Sequence, residues 1–124
     1  MQPRDLAQQA RDLLEKESRA VQSLAGEIGP GLSEAVALMT SCEGHIGVTG
    51  AGTSHAVAQR FAHLLSCSRT RALCIDAVDS KHGRSGAIRE TDVVFAISQG
   101  GQTAEVNDLA GIARRRGAKV VAQT

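Results

Sequence analysis

The sequence predicts a three-layer α/β domain built on a parallel sheet and led by a helical hairpin. Two observations carry this. After Gly44, short apolar runs alternate with segments of helical period, the pattern of crossovers between parallel strands. Each run also lacks the apolar–polar alternation of a one-sided strand, as expected where both faces of a sheet are covered. At 124 residues the chain is long enough to bury one core.

The elements follow in order. From Pro3 to Ala25, Leu6, Leu13, Leu14, Val21 and Leu24 fall at helical spacing among charges, which predicts an amphipathic helix with Glu15 and Arg19 paired four residues apart. Gly26 and Gly29-Pro30-Gly31 end it. A second helix is expected from Ser33, as its cap, to Thr40, with Val36 and Met39 facing inward. Residues 1–43 thus form leading helices that pack on the domain or in an oligomer interface, and 44–124 form the α/β domain. Strands are expected at 45–49, 72–76, 92–97 and 119–123, with helices at about 54–67 and 103–116. The crossover 77–91 reads as a polar loop with one helical turn. No internal repeat or low-complexity segment is present.

Composition narrows the function classes. The aromatic content is 2%, with no Trp or Tyr, so the chain lacks the stacking platforms that bind single-stranded nucleic acid. A net charge of +1 gives no strong field toward nucleic acid or an anionic membrane. The Arg114-Arg115-Arg116 cluster, with Lys119, is explained by a helix C-terminus. Three widely spaced cysteines do not read as a disulfide framework. No apolar run approaches a membrane span and the N-terminus lacks a signal-peptide core, so a cytoplasmic protein is expected.

Two strand-to-helix loops carry the functional signal. Val93-Val94-Phe95-Ala96-Ile97 runs directly into Ser98-Gln99-Gly100-Gly101-Gln102-Thr103. Earlier, His45-Ile46-Gly47-Val48-Thr49 runs into Gly50-Ala51-Gly52-Thr53-Ser54. A strand that opens into a helix N-terminus presents unpaired amides and a positive dipole end, a ready anion site. Parallel α/β sheets place their ligands beyond the carboxyl ends of the strands, where 50–55, 77–86 and 98–105 converge. Ser98 and Thr103 bracket the third segment with hydroxyls, and Gly100 and Gly101 permit close approach or positive φ. Thr103 and Ser54 also read as plain helix caps.

Read together, Gly50-Ala51-Gly52-Thr53-Ser54, Asp79 to His82-Gly83 with Gly86, and Ser98 to Glu105 resemble the sugar isomerase (SIS) domain. The likeness is greatest to its arabinose phosphate isomerase branch. The resemblance covers about 45–124 and implies a flavodoxin-like sheet, usually in dimers or tetramers, that binds phosphorylated sugars. It implies substrate contacts from Gly52, Thr53, Ser54, Ser98, Gln99, Gly100, Gly101, Gln102 and Thr103. His82 and Glu105 match positions of acid/base residues for an aldose–ketose isomerisation through an enediol. An imidazole that titrates near neutrality and a carboxylate beside the ligand both suit that proton transfer. Thr53 stands where the isomerases usually carry lysine, Gly100 where they carry a second serine, and Gln102 where a glutamate is expected. Losing the lysine cation bears on catalysis more than on binding. The family continues past the position of Thr124, so an incomplete domain is expected.

Other readings remain open. A non-catalytic phosphosugar-sensing module fits the loss of lysine. His82 also reads as a surface histidine, and Glu105 as a complement to a helix dipole. Gly50-x-Gly52 with Asp76 imitates a dinucleotide fingerprint, but His55 stands where its third glycine belongs. His63 and Cys67, four apart on one helix, have no second ligand pair, so a buried thiol and an exposed imidazole are expected. No metal or cofactor is called for.

Overall fold

A computed structural model describes residues 2–124. It divides into two compact units, one ending at Glu34 and one spanning Ala35–Thr124. In the first, Pro3–Ser23 forms helix α1, extended by a 3₁₀ turn at Leu24–Gly26. Pro3 occupies the first turn, where its missing N–H costs nothing. Glu15 and Arg19 pair at 3.9 Å but are largely exposed, a contact of little energetic weight. Leu6, Leu13, Leu14, Val21 and Leu24 are each more than half exposed.

Helix α2 spans Pro30–Thr40 rather than beginning at Ser33. Pro30 lies in its opening turn, so a residue read as a helix breaker is a helix starter, and Ser33 is not the cap. Val36 is exposed, against expectation, while Met39 packs on the core with Cys42.

The remaining elements alternate as expected: β1 Ile46–Gly50, α3 Thr53–Cys67, β2 Ala72–Asp76, β3 Val93–Ile97, α4 Ala104–Arg115 and β4 Lys119–Gln123. The four strands form one parallel sheet in the order β2-β1-β3-β4. β1 and β3 are short apolar runs because they lie inside the sheet, while the edge strands β2 and β4 are more exposed. Every residue of β1 is buried, and β3 has only Phe95 partly exposed.

Two apolar layers hold the sheet. On one face Ile46, Val48, Val93 and Ile97 pack with Ala58 and Ala62 of α3, and Phe61 meets Phe95 edge-to-face at 5.1 Å. On the other, Ile75, Val94 and Ile88 pack with Leu109 and Ala113 of α4. Alanines at the helix contacts let α3 and α4 approach the strands closely. Below the sheet, the Asp92 carboxylate accepts the His45 and Arg89 amides at 2.8 Å each, joining the starts of β1 and β3.

The 77–91 crossover contains two 3₁₀ turns, Asp79–His82 and Arg84–Ala87, instead of a helix. Buried hydroxyls brace it locally, and Arg116 ties it to the end of α4. Ser80 Oγ donates to the Ala77 carbonyl at 2.6 Å, Ser85 Oγ to the Ser80 carbonyl at 3.1 Å, and Arg116 Nη1 to the Ser85 carbonyl at 2.7 Å. Arg116 therefore does more than complement a helix end.

Gly50 is where β1 must hand over to α3. A Cβ there would lie 2.6 Å from the Ser54 carbonyl oxygen, a backbone atom that cannot rotate away. Gly100, by contrast, has open space around it. Gly50→Val should therefore lower stability by about 1–3 kcal/mol in urea unfolding, and Gly100→Ala should change it by less than about 0.5 kcal/mol.

Candidate functional site

The loops after β1 and β3 open on the same edge of the sheet because the two strands pair in register, Thr49 beside Ala96. The loop after β3 is the better formed anion cradle. Ser98 is buried, and its backbone N–H donates to the Gln123 carbonyl, extending the ladder to β4. Its hydroxyl accepts the Gly101 amide at 3.1 Å and lies 3.2 Å from the Thr103 hydroxyl. Gly101 takes φ +66°, a conformation natural to glycine, so the chain doubles back tightly before α4. Asn107 Nδ2 donates to the Gly101 carbonyl at 3.2 Å and fixes the turn from the helix side.

Thr103 occupies the N-cap position of α4 but does not cap it with its side chain. The hydroxyl is turned back toward Ser98. The first turn of α4 is thereby left with amides unclaimed by any cap, and the helix bonding begins with Asn107 N–H to the Thr103 carbonyl. A cavity of about 230 Å³ lies beside this loop, with Ser98, Gly101, Asn107 and Thr124 on its wall.

The loop after β1 is built differently. Ser54 is inside α3, not its cap; Gly52 holds the N-cap position at φ +59°. The Ser54 and His55 amides donate to the Ala51 and Gly52 carbonyls at 3.1 and 3.0 Å, so this helix start is partly self-satisfied. Thr53 is exposed and Ser54 half-buried, both with free hydroxyls to offer at the edge. One residue earlier, the Thr49 hydroxyl is fully buried with no hydrogen-bond partner.

The crossover brings His82 to the same edge. His82 ends the Asp79–His82 turn and is exposed. Its neighbour Lys81 forms an ion pair with Asp108 at 3.1 Å, which ties that turn to α4 one turn beyond Glu105. Glu105 is half-buried in the first turn of α4. The structure therefore gathers the three predicted loops, while His82 and Glu105 make no direct contact.

A fourth group at this edge was not anticipated as a unit. His55 lies between Cys74 and Asp76, with Nδ1 3.8 Å from the Cys74 sulfur and Nε2 3.9 Å from Asp76 Oδ2. Asp76 Oδ1 accepts the Val78 and Asp79 amides at 2.8 and 3.3 Å. Those amides, with smaller help from His55 and Arg84, hold its carboxyl below the usual carboxylate range. Burial, and then the Asp76 charge, push the Cys74 thiol up. The signal was present in the sequence: an acid closing the second strand and a histidine in the first turn after the first strand must meet when those strands are neighbours.

His63 and Cys67 do share a face, at 3.6 Å, but Cys67 is exposed rather than buried. Among the described residues no three His, Cys, Asp or Glu side chains group closely enough to hold a metal ion. No described helix is long and apolar enough to cross a membrane. A cavity of about 680 Å³, with walls that include Leu73, Ile88 and Val94, lies at the opposite, amino edge of the sheet. It forms where short turns replace a covering helix, which also leaves Leu73 exposed.

Comparison with known proteins places this architecture. An arabinose 5-phosphate isomerase, KdsD, of Pseudomonas aeruginosa is 31% identical over 120 residues, covering 97% of this chain and 37% of the relative. This chain thus spans little more than a third of that relative's length. A Listeria monocytogenes protein superposes with a TM-score of 0.93 at 26% identity, over 98% of this chain and 64% of the other. The Vibrio vulnificus NanR protein, solved in complex with ManNAc-6P, superposes with a TM-score of 0.81 at 28% identity, over 95% of this chain and 46% of that one. Residues 39–124, the whole sheet and the loops just described, match the SIS domain. The chain belongs to the SIS domain family.

Proposed function

We propose that this chain binds a phosphorylated sugar at the carboxyl edge of its sheet and acts as a phosphosugar aldose–ketose isomerase. The observation that supports this most is the uncapped start of α4 behind the Ser98–Thr103 turn. Three effects combine there: amides without intrahelical partners, the positive end of a twelve-residue helix, and two hydroxyls facing each other. The phosphate rests on Gln99, Gly100, Gly101, Gln102 and Thr103, with Gly52, Thr53 and Ser54 closing the other side. The sugar carbons then face Glu105 and His82. Glu105 moves the proton between C1 and C2 through the enediol, and His82 relays the hydroxyl proton. No cofactor takes part, since the proton removed from one carbon is returned to the next.

A second reading is favoured by one residue. Thr53 supplies a hydroxyl but no cation at the phosphate or carbonyl, and a site lacking that charge suits a module that senses a phosphosugar without converting it. Relatives bear on both readings, because the Pseudomonas relative is named for arabinose 5-phosphate isomerisation and NanR was solved with ManNAc-6P.

Assembly belongs to the proposal. In α1 the arc that holds Leu6, Leu13, Val21 and Leu24 contains one charged residue, Glu17, at its centre by the 100° step of the helix. With this stripe exposed, the chain forms a homodimer or homotetramer.

Three experiments test these statements. Titration of the ¹⁵N-labelled chain with arabinose 5-phosphate should move the amides of Gly101 through Val106. Gly101→Val, which forces a β-branched residue to φ +66° at a cost of about 1–3 kcal/mol, should weaken binding, and unmoved amides would defeat the binding site. In a turnover assay on arabinose 5-phosphate, Glu105→Gln should lower kcat by about a hundredfold or more; saturable binding with no turnover in the unaltered chain would select the sensing module instead. Sedimentation at micromolar concentration should show a dimer or larger species that Leu13→Glu dissociates, and a monomeric unaltered chain would count against the assembly.

A further inference from the structure

We propose that the cavity at the amino edge of the sheet seats helix α1 of a second copy of this chain. The inference rests on the assembly proposed above and names the surface that receives the exposed stripe. Leu73, Ile75 and Val94 form the floor, on the side of the sheet turned away from α3, and Ile88 joins them from the crossover. A volume of about 680 Å³ has room for several aliphatic side chains at once. Leu73 is 44% exposed although it lies inside a strand, so the floor is open to a partner.

Three arginines, Arg71, Arg84 and Arg89, line the same cavity. Among the described residues none of them forms a salt bridge with a carboxylate. Two acids also belong to the wall. The Asp92 carboxylate is occupied by the His45 and Arg89 amides, and Glu43 is exposed just before β1. The cavity is thus an apolar hollow with more cation than anion around it.

The stripe on α1 has the complementary make-up. Leu13, Glu17 and Val21 fall four residues apart, so the acid stands between two aliphatic side chains about 6 Å away on either side. No lysine or arginine lies in that arc by the 100° step of the helix. Glu17 is exposed and forms no salt bridge among the described residues. Covering the stripe buries its carboxylate, which then needs a cation from the receiving surface. The cavity meets both demands: its floor takes Leu13 and Val21, and an arginine takes Glu17. Two other surfaces meet only one. Two α1 stripes packed on each other bury two carboxylates and bring no cation. The outer face of α3 exposes Val57 and Leu64 around Arg60, but a helix surface is convex and has no hollow to fill.

The test is sedimentation equilibrium of the full chain as wild type, Glu17→Arg, Arg60→Gln, and the pairs Glu17→Arg with Arg84→Glu and Glu17→Arg with Arg89→Glu. All four side chains are exposed, so the fold should persist, which circular dichroism checks. Glu17→Arg should weaken self-association about tenfold or more by setting like charges together, and Arg60→Gln should leave it unchanged. At least one of the two pairs should restore association, because the ion pair is rebuilt in reverse. In a mixture of ¹³C-labelled and unlabelled chains, isotope-filtered NOEs should link the Leu13 and Val21 methyls to Leu73 and Ile88 of the other copy. Restoration by neither pair, or dissociation by Arg60→Gln, would overturn the inference. So would the same NOEs found only within one chain, which would seat α1 on its own cavity. A wild-type oligomer that Leu13→Glu dissociates and Glu17→Arg leaves intact would overturn this seat while the assembly stands. A monomeric wild type would remove the assembly and this inference with it.

Discussion

The site depends on one constraint, the parallel register of β1 and β3. Ile46 through Thr49 lie beside Val93 through Ala96 residue for residue, so the two strands end at the same height. Because α3 and α4 cover opposite faces, the chain leaves the sheet in two directions from that level. The result is a pair of helix starts flanking one crevice, with no further positioning required. A slip of one residue in this pairing would turn every side chain of β3 to the other face and expose its apolar set. Burial of β1 and β3 thus enforces the register, and the register enforces the crevice.

Unequal preparation of the two helix starts gives the crevice a direction. At α3, backbone bonds from Ser54 and His55 consume the amides, and a side chain has little left to satisfy. At α4, Thr103 faces Ser98 and leaves the amides open. An anion lowers its energy most where protein partners are missing. The start of α4 consequently offers more unpaired amides to the crevice than the start of α3 does.

Elements whose identity comes from burial were legible in the sequence. Val93 to Ile97 could be read as a strand without neighbours in view, since an apolar run bounded by polar loops has few other uses. The third loop was legible for a similar reason, because Gly100 and Gly101 after a buried strand announce a turn. Pro30 was misread, as proline both ends and begins helices and only the surrounding packing decides which. Ser54 and Thr103, read as substrate contacts with capping as the alternative, cap neither helix with their side chains, since capping is a matter of where a hydroxyl points. The His55–Asp76 pair follows from a strand order that puts β1 beside β2, although the two residues lie 21 positions apart in sequence. Val36 and Cys67, expected in different environments from those found, show how weakly a single residue's hydropathy fixes its exposure on a short helix.

The serines of the crossover shape it from within, and its anchorage lies elsewhere. Ser80 and Ser85 bond to carbonyls inside the segment, while Ile88 in the apolar layer, the reach of Arg116 and the Lys81–Asp108 pair fasten residues 77–91 to the rest of the domain. Undocking it bares Ala77 and Ile88 together with their partners in two apolar clusters, so the crossover opens with the core rather than independently of it. The crossover is accordingly a cooperative part of the domain, and the turn that carries His82 keeps its place as long as the second apolar layer of the sheet is packed.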